Sequence, residues 1–282
     1  MLETEDISFW KMHGSGNDFI VIDNRSGVFP RNHHAALVAR LCRRGTGIGA
    51  DGLILVEEDP YCDFLWRFYN SDGSEAEMCG NGARCVALFA YMTRIAGTDM
   101  TFQTPAGSVQ ALVERDRVRI EMTAPFGLRR GVELEAGGRR EAVDFINTGV
   151  PHAVVTVEKD LEKVDVTGRG RNIREHAEFA PAGTNADFIQ IEDEHRLRIR
   201  TYERGVEAET MGCGTGAVAA ALVAGAAGRV ESPVEVTTWA GDCLTVYFEK
   251  SGSGWREVFL EGGAVIVYKG VLEADFLKIQ ES

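Results

Sequence analysis

Apolar and polar positions alternate with a period of two through much of the chain, in runs too short to be helices. Residues 7–10, 19–23, 53–57, 64–69, 109–114 and 118–122 follow this pattern or are short runs of strand composition, and predict strands. Two segments break it. Residues 32–44 and 82–94 repeat their apolar positions at spacings of three and four, which predicts helices. The second half is patterned in the same way, with strands near Phe145 and at 153–157, 188–192, 197–202, 234–238 and 244–248, and a helix over 216–228. Residues 217–227 are apolar on every side, the mark of a helix buried in a core, and fall well short of the ~18 residues that suggest a membrane span. Strands predominate and helices are few, so the pattern predicts an α+β fold rather than a doubly wound parallel sheet.

The two halves also resemble each other. Cys79-Gly80-Asn81-Gly82-Ala83 matches Cys213-Gly214-Thr215-Gly216-Ala217, and Thr104-Pro105-Ala106-Gly107 matches Thr238-Trp239-Ala240-Gly241 at the same spacing. Glu75-Ala76-Glu77 matches Glu207-Ala208-Glu209, and Asp18-Phe19-Ile20 echoes Asp187-Phe188-Ile189. Four matches in one order predict a duplicated domain with its seam near residues 123–130. A duplication of this kind commonly packs with pseudo-two-fold symmetry. Small-molecule sites favour the junction of two domains, where Cys79 and Cys213 would face each other.

With 282 residues, two domains are the natural expectation. Thirty Lys and Arg against 43 Asp and Glu give a net charge of −13, and no basic block interrupts it. Such a surface repels phosphate, which argues against nucleic-acid binding and against docking on an anionic membrane. Apolar residues at 44% and charged residues at 26% are ordinary globular values. The start of the chain has no basic patch followed by an apolar run, so it reads as cytoplasmic rather than exported. Glycine is the outlier, with 32 residues, and predicts many tight turns or close backbone approaches to a ligand.

Six cysteines at 42, 62, 79, 85, 213 and 243 show neither a C-x-x-C pair nor zinc-ligand spacing. Most free cysteines are inert core residues. Cys79 and Cys213 differ because each sits in a Gly-rich turn just ahead of a predicted helix. A helix N-terminus offers unpaired N–H groups and partial positive charge, suited to a carboxylate and to lowering a thiol's pKa. Two opposed thiols around one carbon suit inversion of a stereocentre: a thiolate removes the proton from one face while a thiol delivers another to the opposite face. The alternative is that the glycines permit tight turns and the cysteines pack in the core; the repetition of the motif favours the chemical reading.

Further segments sharpen this: Lys11-Met12-His13-Gly14-Ser15-Gly16-Asn17-Asp18-Phe19, Gly47-Ile48-Gly49-Ala50-Asp51-Gly52, Asn70-Ser71-Asp72-Gly73-Ser74-Glu75, Asn147-Thr148-Gly149-Val150-Pro151-His152, Gly183-Thr184-Asn185-Ala186-Asp187-Phe188 and Tyr202-Glu203-Arg204-Gly205. Together with the two cysteine turns, they make the chain resemble the diaminopimelate epimerase family over nearly its whole length. The resemblance implies two homologous, pseudo-two-fold related domains of mixed and antiparallel sheet, each wrapped around a central helix. Residues 1–124, completed by 265–282, would form one domain and 125–264 the other, with the active site at their interface. It implies Cys79 and Cys213 as the catalytic bases interconverting LL- and meso-diaminopimelate, on the route to lysine and peptidoglycan precursors. Gly80-Asn81 and Gly214-Thr215 would hold the reacting carboxylate, Glu203 and His152 would lie near the reacting amine, and Asn17, Asn70, Asn185 and Arg204 would grip the distal amino-acid end. It implies no cofactor and no metal, an amino acid as the small-molecule partner, and a homodimer as an allowed assembly. The chain departs from the family pattern at Val150, where many members carry Asn, and at Gly52, where some carry Gln. Both changes remove side-chain hydrogen bonds in or near the expected site, so they bear on substrate identity.

Three other readings compete. Gly47-Ile48-Gly49-Ala50-Asp51-Gly52 fits the dinucleotide pattern G-x-G-x-x-G, but a helix precedes it and a strand follows, the reverse of what that site needs. Gly212-x-Gly214-x-x-Ala217 does open a helix and keeps a nucleotide-dependent oxidoreductase in view. Cys79 and Cys213 could instead form a redox switch without catalysis, or serve a pyridoxal-independent racemase of another amino acid.

Overall fold

The computed structural model describes residues 6–30, 34–252 and 254–277. Its chain divides into two compact units, Met1–Ile120 together with Gly263–Ser282, and Glu121–Gly262.

The first unit opens with a hairpin of β1 (Ile7–Gly14) and β2 (Asn17–Asp23), joined through Ser15 and Gly16. Helix α1 (His34–Cys42) crosses to β3 (Gly52–Glu57), which therefore lies parallel to β2. The predicted start of α1 at Asn32 and His33 lies outside the described residues. β4 (Phe64–Asn70) runs antiparallel to β3, and the short β5 (Glu75–Ala76) folds back along β4. Next come α2 (Gly80–Met92), β6 (Asp99–Thr104) parallel to β4, and the antiparallel pair β7 (Gly107–Glu114) and β8 (Arg117–Glu121). Residues from Gly82 to Ala90 of α2 are all buried, because strands cover the helix on every side.

The second unit repeats this order. β9 (Phe126–Ala136) and β10 (Arg139–Asn147) form a hairpin, β11 (Pro151–Thr156) pairs antiparallel with β10, and α3 (Val166–Arg174) leads to β12 (Asn185–Ile191), parallel to β11. β13 (Arg196–Glu203), β14 (Ala208–Thr210), α4 (Gly214–Ala226), β15 (Val234–Thr237), β16 (Cys243–Ser251) and β17 (Gly254–Gly263) follow, with the same sense of pairing at each step. The chain then returns to the first unit as β18 (Val265–Leu272), antiparallel to β1, and ends the described residues with α5 (Ala274–Leu277). The α+β architecture of mixed sheet around a central helix is thus present in each unit.

α4 is buried from Gly216 to Gly225, as its uniformly apolar sequence predicts. No helix among the described residues is long and apolar enough to cross a membrane.

Element order also corrects two of the sequence matches. The counterpart of β2 by order and pairing is β11, whereas Asp187-Phe188-Ile189 lies on β12, the counterpart of β3; the Asp18-Phe19-Ile20 echo therefore joins unrelated strands. The Glu75 match shifts by two residues. Glu75 pairs with Tyr69, and Glu209 rather than Glu207 pairs with Tyr202. The shifted alignment brings out a shared ion pair: Arg67 with Glu75 at 3.5 Å, and Arg200 with Glu209 at 2.6 Å.

Candidate functional site

Cys79 and Cys213 are the N-cap residues of α2 and α4. Both have extended backbone, with φ/ψ of −147°/117° and −123°/115°. An extended residue directly before the first helical turn can aim its side chain at the turn's unpaired N–H groups; the Cys213 side chain does so, accepting from the Gly216 N–H, whereas the Cys79 side chain makes no cap hydrogen bond. The helices begin two residues earlier than the apolar period predicts, because Gly80 and Gly214 already belong to the first turn.

The surroundings of the two sulfurs differ. Cys79 is half-buried, and its S–H donates to Asn17 Oδ1 at 3.5 Å. The orientation of the Asn17 amide is fixed, because its Nδ2 donates to Asp51 Oδ2 at 2.8 Å. Asp51 in turn is held by Arg44, which also grips Asp18, and Asp18 is bound by Lys11 as well. Burial pushes the Asp18 carboxyl up, but the hydrogen bonds from Arg44 and Lys11 outweigh it and hold that carboxyl well below the ordinary range. Asn81 accepts at Oδ1 from Arg84 Nη2 at 2.8 Å; this guanidinium is fully buried and also reaches Ser15 Oγ at 3.2 Å. Asn70, exposed at the end of β4, donates from Nδ2 to Ser74 Oγ at 3.0 Å.

Cys213 is buried. Its sulfur accepts from the Gly216 N–H at 3.4 Å and lies 3.4 Å from Thr215 Oγ1. Burial pushes its thiol up, the Glu203 and Asp187 carboxylates push it further, and the Thr215 hydroxyl and Gly216 amide offset only part of that rise. Burial likewise raises the Glu203 carboxyl above its ordinary value.

Sheet register gathers three of the expected residues. His152 on β11 is paired with Asn185 on β12, and the register that pairs Ala186 with Tyr202 sets Glu203 on β13 beside Asn185. His152 Nε2 lies 3.0 Å from Thr215 Oγ1, which links this row to the first turn of α4. Arg204 joins the group through its backbone, donating N–H to Asn185 Oδ1 at 2.8 Å, while its Nη1 donates to the Ala182 carbonyl at 3.0 Å. In the second unit, then, His152, Asn185, Glu203, Arg204, Cys213, Gly214 and Thr215 converge. In the first unit Asn17 meets Cys79, Gly80 and Asn81 open the helix it caps, and Asn70 stands at the end of its own strand. Among the described residues, no three His, Cys, Asp or Glu side chains converge as metal ligands would.

The sequence profile described as diaminopimelate epimerase matches residues 9–126 and 145–267. The diaminopimelate epimerase of Aquifex aeolicus (strain VF5) is 45% identical over 287 residues, covering 96% of this chain and 100% of that relative. That of Hydrogenobaculum sp. (strain Y04AAS1) is 42% identical over 273 residues, covering 93% and 97%. The chain belongs to the diaminopimelate epimerase family. The fold of this epimerase family member recurs in more distant solved structures. A phenazine biosynthesis protein of the PhzF family from Bacillus anthracis aligns with a TM-score of 0.72 at 16% identity, over 95% of this chain and 99% of that one. A hydroxyproline epimerase from Agrobacterium vitis aligns with a TM-score of 0.65 at 16% identity, over 95% and 92%.

Sequence reasoning did not single out several residues that the epimerase fold places around Cys213. Asp187 is fully buried and binds His152 Nδ1 through Oδ2 at 2.7 Å. Thr201 donates to Asp187 Oδ1 at 2.7 Å, and Thr148 donates from Oγ1 to the Thr215 carbonyl at 3.0 Å. Asp187 did leave a signal: it is a lone carboxylate inside an otherwise buried strand, which demands a partner.

Proposed function

We propose that this chain converts LL-diaminopimelate to meso-diaminopimelate without a bound cofactor, using Cys79 and Cys213 as the two bases. The observation that carries this reading is the twin placement of the thiols, each capping a buried helix at the same point of a repeated topology. One cysteine, as thiolate, takes the α-proton from one face of the carbon, and the other, as thiol, delivers a proton to the opposite face. Negative charge then develops on the adjacent carboxylate. The first amides of α2 and α4, at Gly80 and Asn81 and at Gly214 and Thr215, are the donors suited to receive it.

Glu203 suits the reacting ammonium as an acceptor, and His152 lies near it in the same sheet row. Arg204 with Asn185, and Asn17 with Asn70, suit the distal amino-acid head, where a guanidinium fork matches a carboxylate. The names of the relatives, diaminopimelate epimerases, support the substrate; a place on the route to lysine and peptidoglycan precursors, and a cytoplasmic one, belongs to the same proposal.

In heavy water the reaction should place deuterium only at the inverted centre, and Cys79→Ala or Cys213→Ala should each abolish turnover. Epimerisation that survives in either variant overturns the two-thiol assignment. Equal or faster turnover of an amino acid with one head group overturns the substrate.

A further inference from the structure

The two units share strand order and register, yet they differ at one set of buried positions. In the second unit, Asp187 is paired across the sheet with Thr201, and two residues before it Asn185 is paired with His152. In the first unit, the same register puts Ile54 opposite Phe68 and Gly52 beside Phe19. Against the central helix, then, one unit presents Phe19, Ile54 and Phe68, and the other presents His152, Asp187 and Thr201. A Cβ at Gly82 of α2 would meet Ile54 and Phe19, and one at Gly216 of α4 would meet Asp187 Oδ1 and Thr201 Oγ1, so the two sets occupy equivalent places. A core that can be built from hydrocarbon in one unit has no structural need for a fully buried carboxylate and imidazole in the other.

The hydrogen bonds of this set run in one direction. Asp187 accepts from Thr201 at Oδ1 and from His152 Nδ1–H at Oδ2. Asn185 uses its Oδ1 for the Arg204 N–H, which turns its NH2 group toward His152 Nε2 at 3.4 Å. An NH2 group only donates, so Nε2 is left as an acceptor. The next atom along is Thr215 Oγ1, 3.0 Å from Nε2 and 3.4 Å from the Cys213 sulfur.

We propose that Asp187, His152 and Thr215 form a proton relay ending on Cys213, with Asp187 as the positioning residue that fixes the His152 tautomer. In the forward sense the Cys213 S–H bond breaks and its proton goes to Thr215 Oγ1, while the Thr215 O–H proton passes to His152 Nε2. The products are a thiolate, which the Gly216 N–H stabilises, and an imidazolium, whose charge Asp187 meets; the reverse steps reload the thiol. Glu203 on β13 is the other ionisable group facing this sulfur, and its charge opposes the thiolate. The equivalent positions of the first unit hold Asn81, Phe19 and Ile54, side chains that do not pass a proton on in this way. The two bases thus differ in how their protons are exchanged. This inference rests on the two-thiol reading for its purpose, but not for its geometry.

Nitrogen-15 NMR of histidine-labelled protein tests it, with the His152 signals assigned by comparison with His152→Asn. The relay requires that the neutral ring carry its proton on Nδ1 and present a lone pair at Nε2. Asp187→Asn should abolish that preference, and with LL-diaminopimelate it should lower kcat by about 10- to 100-fold. Thr215→Val should lower kcat comparably with KM within about threefold, and Thr215→Ser should restore it. A wild-type ring protonated at Nε2 overturns the relay, and so does a Thr215→Val enzyme with unchanged kcat. If wild-type protein turns over no diaminopimelate, the functional reading fails while the spectrum still decides the relay. If Asp187→Asn does not fold, the two Thr215 variants decide it.

Discussion

Gly52 and Asn185 occupy the same register position in the two units, the first between Phe19 and Asn70 and the second between His152 and Glu203. One position carries a polar side chain into the site, and the other has room for none. A Cβ at Gly52 would stand 2.5 Å from Phe68 Cε2 and 2.7 Å from the Tyr69 carbonyl. Gly52→Ala should therefore destabilise the fold by about 1–3 kcal/mol, read from the urea midpoint. Gly52→Gln, with a longer side chain to place, should do worse.

The twin arginines Arg67 and Arg200 should respond unequally to truncation. The Arg200 side chain is 8% exposed, makes a two-pronged bond to Glu209 and donates to the carbonyls of Leu161, Glu162 and Val164. Arg200→Ala leaves those acceptors and a carboxylate unmatched and should lose about 3–5 kcal/mol. Arg67 is 42% exposed, so Arg67→Ala should lose less than about 1 kcal/mol. Chemical denaturation of the pair measures the difference.

Alkylation of the folded protein should separate the cysteines. Cys243 is exposed, whereas burial pushes the Cys42 and Cys85 thiols up to about 12. Iodoacetamide at mildly alkaline pH should label Cys243 more than about a hundredfold faster than Cys42 or Cys85, since only the thiolate reacts. Peptide mass spectrometry over time gives the rates, and loss of turnover should follow Cys79 rather than Cys243.

Acid sensitivity should trace in part to Asp18. Its carboxyl titrates lower in the folded state than its unfolded value of 3.8, so the stability it contributes is complete above that value and is lost as pH falls toward the folded one. Asp18→Asn should flatten the stability curve between about pH 5 and about pH 2, measured as urea midpoints across that interval. An unchanged slope would remove the Lys11–Asp18–Arg44 cluster as the cause.

Arg204→Lys should raise KM for diaminopimelate by about tenfold or more while leaving kcat nearly unchanged, because an ammonium cannot reproduce a guanidinium fork. A drop in kcat at constant KM would place Arg204 at the reacting end instead.

Much of this was legible in the amino acids themselves. The cysteine turns, the buried α4 and most central strands follow from local composition, since each is surrounded by the core its pattern anticipates. α3 was not legible: Val166–Arg174 holds two glycines and few apolar residues, and it is helical because Gly170 lets it lie directly against Tyr202. β9 and β17 were missed although each pairs with its neighbour in the chain, because most of their residues are exposed or half-buried and leave no clear apolar stripe; β18, expected only as part of the segment 265–282 that completes the first domain, takes its partner β1 from the far end of the sequence. Asp187 could be seen as anomalous, but its partner lies on a parallel neighbour strand whose register no local pattern encodes.

The return of β18 to β1 carries a consequence for biosynthesis. Ile7 is matched with Leu272, and Phe9 packs against Gly270, where even one methyl group would collide with the ring. During translation β1 waits, one flank unoccupied, until residues 265–272 have been made, while the unit made second has every strand it needs before that. A ribosome that stops shortly before residue 265 would release a polypeptide with its later unit closed and its earlier one open, a natural substrate for chaperones and proteases.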